Sequence, residues 1–375
     1  MRSMTFLIVR WVLVALAVSG MVVTMLPLWP TDIWWVRYLD YPRLQFLAVM
    51  LAVLLLLVFL PRRDRWSWGA AALLVGAIIW NAVLLGPYLM PMAATVMMPA
   101  VQAEMCPKEK QLRVLAVNVQ MTNQHDNRLL DIVREADPDI AWFQETDAWW
   151  EGELSPLAET MPYGAQQAQP NYFGVHLFSR LPVEATEIKF LTGSRNPSVF
   201  TTVVLPSGDR AKLYAIHPRP PQVGQSTAER DGQMMAAALA AREDAVPHMA
   251  MGDMNAVPWE DVTARLRHIG GFIDPRRGRG LYITWNAQRA LTKWPLDHIL
   301  PGEGLRLVDL KVLPAFGSDH LPLLADLCLE KSRVSRPPVD EAVLARARRT
   351  VEKGQGKALE RGAASPPGTE TGETD

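Results

Sequence analysis

The 375-residue sequence predicts an α+β protein: a four-layer α/β/β/α sandwich, two mixed sheets flanked by helices, preceded by a transmembrane helical region. Three observations predict it. Long uncharged apolar runs are confined to about the first hundred residues. Beyond them the pattern switches to many short alternating segments with few helical periods between, as packed sheets with outer helices require. Those short segments end, one after another, on carboxylates, amides or imidazoles.

In the front region, 11–29 is uncharged, follows Arg2 and Arg10, and is long enough to cross a bilayer. A second run covers 44–60, and a third covers 66–89, where Pro87 and Pro91 break the pattern. Trp29, Trp34, Trp35, Tyr38 and Tyr41 gather at one set of run ends and Trp66 and Trp68 at another, where interfacial aromatic belts form. A cleaved signal peptide is the competing reading of the first run; its length and the two runs that follow favour a span. The connection Arg62-Arg63-Asp64-Arg65 is short and basic and belongs in the cytoplasm, although Arg37 and Arg43 pull weakly the other way. Three crossings then put everything after residue 100 outside, giving a multi-pass protein of the bacterial inner membrane with an extracytoplasmic soluble domain. The boundaries expected are three transmembrane helices over 1–100, a linker over 101–110, a folded domain over 111–330 and a disordered, charged tail over 331–375. Within that tail, 339–349 has the period of a short helix.

Along the folded domain, 112–119 alternates as a strand and runs through Asn118. Residues 127–136 have helical spacing, and 138–145 is a buried strand ending at Glu145. Further strands are expected at 173–178, 199–205 and 211–216, the last running into His217 and the turn Pro218-Arg219-Pro220-Pro221. An Ala-rich helix occupies 225–242, followed by a short strand over 246–250. Met251-Gly252-Asp253-Met254-Asn255 then makes a tight turn, which Gly252 permits, into a helix starting at 256–261. Strands at 295–300, 305–312 and 323–329 complete the domain, with Gly317-Ser318-Asp319-His320-Leu321-Pro322 before the last.

Formal charge is −1, and acids outnumber bases within 107–330, so no basic footprint for nucleic acid is visible there. Two cysteines exclude a disulfide-dense scaffold or a Cys-rich zinc site. Cys106 and Cys328 fall near one another if the first and last strands pair antiparallel; a bridge and two unrelated thiols both remain open.

Taken singly, an Asp-x-Asn turn or a His after a strand is an ordinary capping residue. Collected, the polar strand ends are Asn118, Glu145, His217, Asp253, Asn255, Asp297, Asp319 and His320. Carboxylates and amides suit Mg²⁺ or Mn²⁺, which take few protein ligands and keep waters. A carboxylate can accept a proton from water, and amides and imidazoles can donate to an oxyanion.

The order of motifs resembles the endonuclease/exonuclease/phosphatase superfamily of metal-dependent phosphohydrolases over about 110–330. The matching pieces are Asn118, Gln144-Glu145, His217 in Ile-His-Pro-Arg-Pro-Pro, Gly252-Asp253-Met254-Asn255, Leu296-Asp297-His298-Ile299 and the Ser-Asp-His-x-Pro at 318–322. The apolar front and the His-Pro-x-Pro-Pro variant look similar to a membrane-anchored bacterial, YafD-like subgroup. DNA-repair members carry an Asp where this chain has Gln120, which speaks against DNA repair. The resemblance implies that Glu145 binds the divalent metal (Mg²⁺ or Mn²⁺), with Asn118 beside it and Asp319 adding charge nearby. It implies that Asp253 deprotonates the attacking water, that Asn255 holds the water or a phosphoryl oxygen, and that His217 and His320 donate to non-bridging oxygens. Asp297 orients His320, and Tyr172 is loosely matched to a phosphate-contacting tyrosine. The expected activity is hydrolysis of a phosphoester, a phosphodiester or a phosphate monoester, at the membrane surface. An extracytoplasmic nuclease and a non-enzymatic membrane scaffold are the alternatives, and nucleic acid is the disfavoured partner.

Overall fold

In the computed structural model, residues 2–60, 64–90, 98, 100–124, 128–193, 195–334 and 338–364 are described. Arg62 and Arg63 of the basic connection, Asn127 at the expected helix start and the expected disordered end 365–375 lie outside them.

The apolar front folds into α1 (Arg2–Met25), a single turn α2 (Trp34–Tyr38), α3 (Arg43–Val58) and α4 (Arg65–Leu89). Leu13, Ala17, Met50, Val53, Leu57, Leu74 and Ala77 pack the three long helices together, while Val12, Leu55, Leu56, Ile79 and Val83 face outward. Two stretches, Met4–Leu28 and Arg65–Leu89, are long and apolar enough to cross a membrane by length and composition; Arg43–Val58 is shorter. At one end Arg10 donates to Asp64 (2.8 Å), whose other oxygen caps α4 through the Ser67 amide (3.0 Å). At the other end a buried polar cluster joins all three helices: Arg43 reaches Asp40 (2.7 Å) and Asn81 (3.2 Å), and Asn81 reaches Thr24 (3.0 Å).

The remainder is the expected sandwich. Its elements are β1 (Gln111–Asn118), α5 (Arg128–Ala136), β2 (Ile140–Gln144), α6 (Ala148–Leu154), β3 (Tyr163–Gln167), β4 (Val175–Ser179), β5 (Val183–Phe190), β6 (Pro197–Val204) and β7 (Arg210–Ala215). They continue with α7 (Ala228–Glu243), β8 (His248–Asp253), α8 (Asp261–Gly270), β9 (Asp297–Pro301), β10 (Leu305–Val312), β11 (Leu323–Leu329) and α9 (Glu341–Ala364). One sheet has the order β10-β11-β1-β2-β4-β3 and the other β5-β6-β7-β8-β9. Both are mixed: β1 is parallel to β2 and antiparallel to β11, and β8 is parallel to β7 and antiparallel to β9. Strand alternation assigns the layers. Val114 and Ala116 of β1 face Leu213, Ala215, Met249 and Met251 between the sheets, while Leu115 and Val117 face Leu129, Val133 and Trp150 of the outer helices. On the far side Phe200, Tyr214 and Ala250 pack under Met234, Ala238, Leu266 and Leu344 of α7, α8 and α9.

Three expectations are corrected. The tail at 331–375 is not disordered throughout, because α9 extends to Ala364 and lies on α7. Gly232 and Gly354 permit that approach: a Cβ on Gly354 would stand 2.6 Å from the Ala228 carbonyl oxygen. Arg361 pairs with Glu229 (2.9 Å) and Arg346 with Asp261 (3.3 Å), so the tail's charges find partners on the domain. The strand expected at 246–250 runs to Asp253, which makes Gly252 a strand residue (φ 133°) and moves the left-handed turn to Asn255 (φ 47°). The helix after it begins at Asp261. Cys106 and Cys328 form a disulfide, the linked alternative of the two left open.

The front and the sandwich are packed together. Tyr41, Leu85 and Tyr88 of the helical front share an apolar cluster with Val257, Trp259, Trp294 and Leu296. Trp259 donates its indole N–H to the Asp40 carbonyl (2.7 Å), Gly278 its amide to the Pro87 carbonyl (2.7 Å) and Thr227 its amide to the Asp32 carbonyl (2.9 Å).

Candidate active site

The parallel pairings β1–β2 and β7–β8 bring the carboxyl ends of the central strands of both sheets to one end of the sandwich. There the polar strand ends meet. Asn118, the last residue of β1, donates from Nδ2 to Glu145 Oε1 (2.8 Å) and to Asp253 Oδ2 (3.2 Å). Glu145 follows β2 in a left-handed conformation (φ 63°) that turns its carboxylate toward the gap between the sheets. Asp253 ends β8; its Oδ1 accepts from the Asn255 amide (2.9 Å), and its own amide donates to Gln144 Oε1 (2.7 Å). Gly252 is needed beside it, since a Cβ there would lie 2.1 Å from the Ile216 carbonyl oxygen. Asn255 donates from Nδ2 to the Pro218 carbonyl (3.0 Å), and its own carbonyl accepts from Arg230 (2.9 Å) and from the Tyr41 hydroxyl.

The two imidazoles differ. His320 gives one ring nitrogen to Asp297 Oδ2 (Nδ1, 2.8 Å) and points the other at Asp253 Oδ2 (Nε2, 3.5 Å). Burial opposes its charge, but Asp297 and Asp253 outweigh burial and hold its pKa up to about 10. His217 sits with Nε2 3.9 Å from Asp253 and 4.0 Å from Glu145, and neither ring nitrogen has a hydrogen-bond partner among the described residues. Burial, with the charge on His320 nearby, lowers its pKa to about 3, so it is a neutral imidazole aimed at the carboxylates.

Glu145 and Asp253 are both pushed upward by burial, Glu145 to about 7, despite the Asn118 amide and the His320 charge. Burial raises a carboxylate's pKa, and a cation bound beside it would lower it. Among the described residues no three His, Cys, Asp or Glu side chains form a ready metal cage. One carboxylate with an adjacent amide fits a hard divalent ion that keeps most of its waters, and Glu145 with Asn118 is that donor pair.

The structure thus brings together Asn118, Glu145, His217, Asp253, Asn255, Asp297 and His320. Asp319 stands at the rim: its carboxylate accepts from the Trp285 indole (2.9 Å), and its charge reaches Glu145 and His320. Tyr172 (φ 62°) is near enough that the Glu145 charge adds to burial in raising its pKa.

Sequence reasoning missed the supports. Gln120 Oε1 accepts from the Asp319 amide (2.9 Å), and the Ser318 hydroxyl donates to the Asn118 carbonyl (2.9 Å) while accepting from the His320 amide (3.0 Å). Arg230 and Tyr41 hold Asn255 by its backbone. Gln120, Arg230 and Tyr41 sit in no pattern that gives them this role; Ser318 falls inside the Ser-Asp-His-x-Pro motif and Gln144 closes an apolar strand. A separate cleft of about 220 Å³ is lined by residues that include Asp32, Arg37, Arg265 and Lys353, and holds none of the converging groups.

A model of the endonuclease/exonuclease/phosphatase family matches residues 115–320. Comparison with curated proteins finds no match. Among solved structures the chain is similar to a humanized D. rerio TDP2 carrying 14 mutations: 17% identity and TM-score 0.50, over 58% of this chain and 99% of that one. It is similar also to D. rerio TDP2 complexed with single-strand DNA product, at 15% identity and TM-score 0.50, over 58% and 98% of the two chains. An endonuclease/exonuclease/phosphatase from Beutenbergia cavernae matches at 18% identity and TM-score 0.49, over 63% and 76%. At such identities the likeness is one of fold.

Proposed function

This chain belongs to the endonuclease/exonuclease/phosphatase family of phosphoester hydrolases, and from that premise we propose that it is a membrane-anchored, divalent-metal-dependent hydrolase that uses water to attack a phosphoryl group. The observation that carries the reading is the single pocket in which Asn118, Glu145, Asp253 and the Asp297–His320 pair stand within hydrogen-bonding or ion-pairing reach of one another.

In this mechanism Asp253 accepts the proton of the attacking water. Its Oδ1 is fixed by the Asn255 amide, so the raised carboxylate has one direction in which to act. Asn255 keeps a second side-chain N–H for that water or a phosphoryl oxygen. His320, held charged and oriented by Asp297, donates to a non-bridging oxygen as negative charge builds. His217 has an uncommitted ring N–H for a second oxygen. Glu145 and Asn118 would hold Mg²⁺ or Mn²⁺, with Asp319 adding charge at the rim. Such an ion supplies neutralisation of the phosphate and polarisation of the bond under attack.

Anchoring is part of the proposal. α1, α3 and α4 span a bacterial inner membrane three times, with Arg10, Asp64 and Arg65 at the cytoplasmic end and the sandwich docked on the outer end. Apolar outward faces on all three helices and the interfacial tryptophans Trp29 and Trp35 support this. The test is a panel of phosphate monoesters, lysophospholipids and single-stranded DNA with Mg²⁺ and with EDTA. Hydrolysis of at least one substrate is expected, abolished by EDTA and lowered about 10²–10⁴-fold in Asp253→Asn with an unchanged melting profile. Wild-type turnover in that variant, or in EDTA, would refute the mechanism.

A further inference from the structure

The end of the sandwich that carries the site is also the end packed on the helical front. Loops after β7 and β8 supply His217 and Asn255, β9 opens on Asp297, and those loops and the segment before β9 touch the anchor. Thr227 bonds Asp32, Trp259 bonds Asp40, Tyr41 bonds the Asn255 carbonyl, and Gly278 bonds Pro87. Leu84, Leu85 and Tyr88, in the last turns of α4, and Leu44 and Leu47, in the first turn of α3, lie against Trp259, Trp294 and Leu296. A helix of 25 residues is about 37 Å long, against about 30 Å of bilayer hydrocarbon, so its last turns stand at the lipid headgroups.

One loop joins that level to the chemistry. Trp285 bridges to His320 and donates to the Asp319 carboxylate, and the Ala287 amide donates to the Asp319 carbonyl (2.7 Å). From there the chain runs out to Leu291, whose carbonyl accepts from Gln45 (2.7 Å) in the first turn of α3. Leu291 is 81% exposed, a large apolar side chain at the mouth of a spanning helix. On the anchor side Trp35 and Tyr38 are also exposed, and Tyr38 meets Trp294, three residues after Leu291, edge-on. Exposed Leu291 stands between Arg289 and Lys293 on the same loop, an apolar tip flanked by basic residues, as a headgroup layer favours.

We infer that the substrate is a phosphoester of a membrane lipid, taken from the leaflet on which the sandwich stands, with Leu291 dipping into that leaflet at the rim of the pocket. This rests on the hydrolase reading above. The step is a hydrolysis: water oxygen bonds to phosphorus, one P–O ester bond breaks, and the released alcohol leaves with a proton.

The test uses the full chain in vesicles of phosphatidylethanolamine and phosphatidylglycerol, with Mg²⁺ and phosphorus NMR as the readout. The lipids of the proteoliposome are compared with the same lipids in separate vesicles and with dissolved bis(p-nitrophenyl) phosphate. Lipid cleavage is expected only within the proteoliposome. In Leu291→Glu the ratio of lipid to dissolved-ester turnover should fall about tenfold, the contribution of one inserted leucine. Turnover of the dissolved ester without lipid cleavage, equal cleavage in separate vesicles, or an unchanged ratio in the variant would overturn the inference while leaving the hydrolase standing. Turnover of neither substrate would overturn both.

Discussion

Histidines in this molecule are sorted by their neighbours, and the sorting has a consequence for stability. His298 lies one residue from Asp297 but takes no part in the pocket: its ring accepts from Arg276 (2.7 Å) and bonds the Ala256 carbonyl (2.8 Å). Burial, then the Arg276 charge, lowers its pKa to about 3; Asp274 works against this, and Arg267 lies beyond. The folded value is below the unfolded one, so between about 6.5 and 3 the unfolded chain binds the extra proton. Stability is therefore full above pH 6.5 and falls as pH drops through that window, by at most about 1.4 kcal/mol per pH unit from this residue. Thermal melts at pH 7.5 and 5 should show a smaller acid loss in His298→Gln than in wild type; identical losses would contradict it. At this scale the grouping of the candidate residues was largely legible. Asn118 and Asp253 close strands, Glu145, His217 and Asn255 follow one within two residues, Asp297 opens β9 and His320 precedes β11, and a sheet aligns strand ends without further information. Arg230 and Tyr41 were not legible, because each acts by hydrogen-bonding a backbone carbonyl far away in sequence, which leaves no local pattern.

Elements were readable to the degree that they are buried. The central strands β1, β2, β7, β8 and β11 stood out by their apolar content. β3 and β5, at the edges of the two sheets, did not; both are mostly half-buried or exposed and lack apolar alternation. α9 was underread for a related reason: its glycines and charges look like a linker until Gly232 and Gly354 are seen to let two helices touch. The junction of β8 with Asn255 makes the strongest demand on sequence. Gly252 holds φ 133° beneath the Ile216 carbonyl, and a methyl group there has no room to form without moving backbone that carries Asp253. Gly252→Ala should therefore lower the melting temperature and turnover together, with a stability loss on the order of 1–3 kcal/mol. A variant with wild-type melting and turnover would mean that the strand end is not held as described.

Across the whole molecule, the helical front and the sandwich share one interior at their junction, and a tether would not need that. Val257, Trp259, Trp294 and Leu296 belong to the sandwich but are buried (0, 9, 5 and 4% exposed) in one cluster with Tyr41, Leu85 and Tyr88 of the front. The Cys106–Cys328 bridge ties the linker's end to β11, so the chain enters the sandwich at a fixed place. Cutting the chain at residue 100 would leave that apolar patch in water, remove the Asp40 carbonyl from the Trp259 indole, and leave the Asn255 carbonyl to Arg230 alone. Exposure of several large side chains acts on stability at about 1.5–3 kcal/mol for each one fully uncovered, more than loss of one hydrogen bond. The excised sandwich is thus expected to melt well below the full chain in detergent. Equal melting of the two forms would make the helices a mere leash and count against the proposed seat of the pocket at a bilayer.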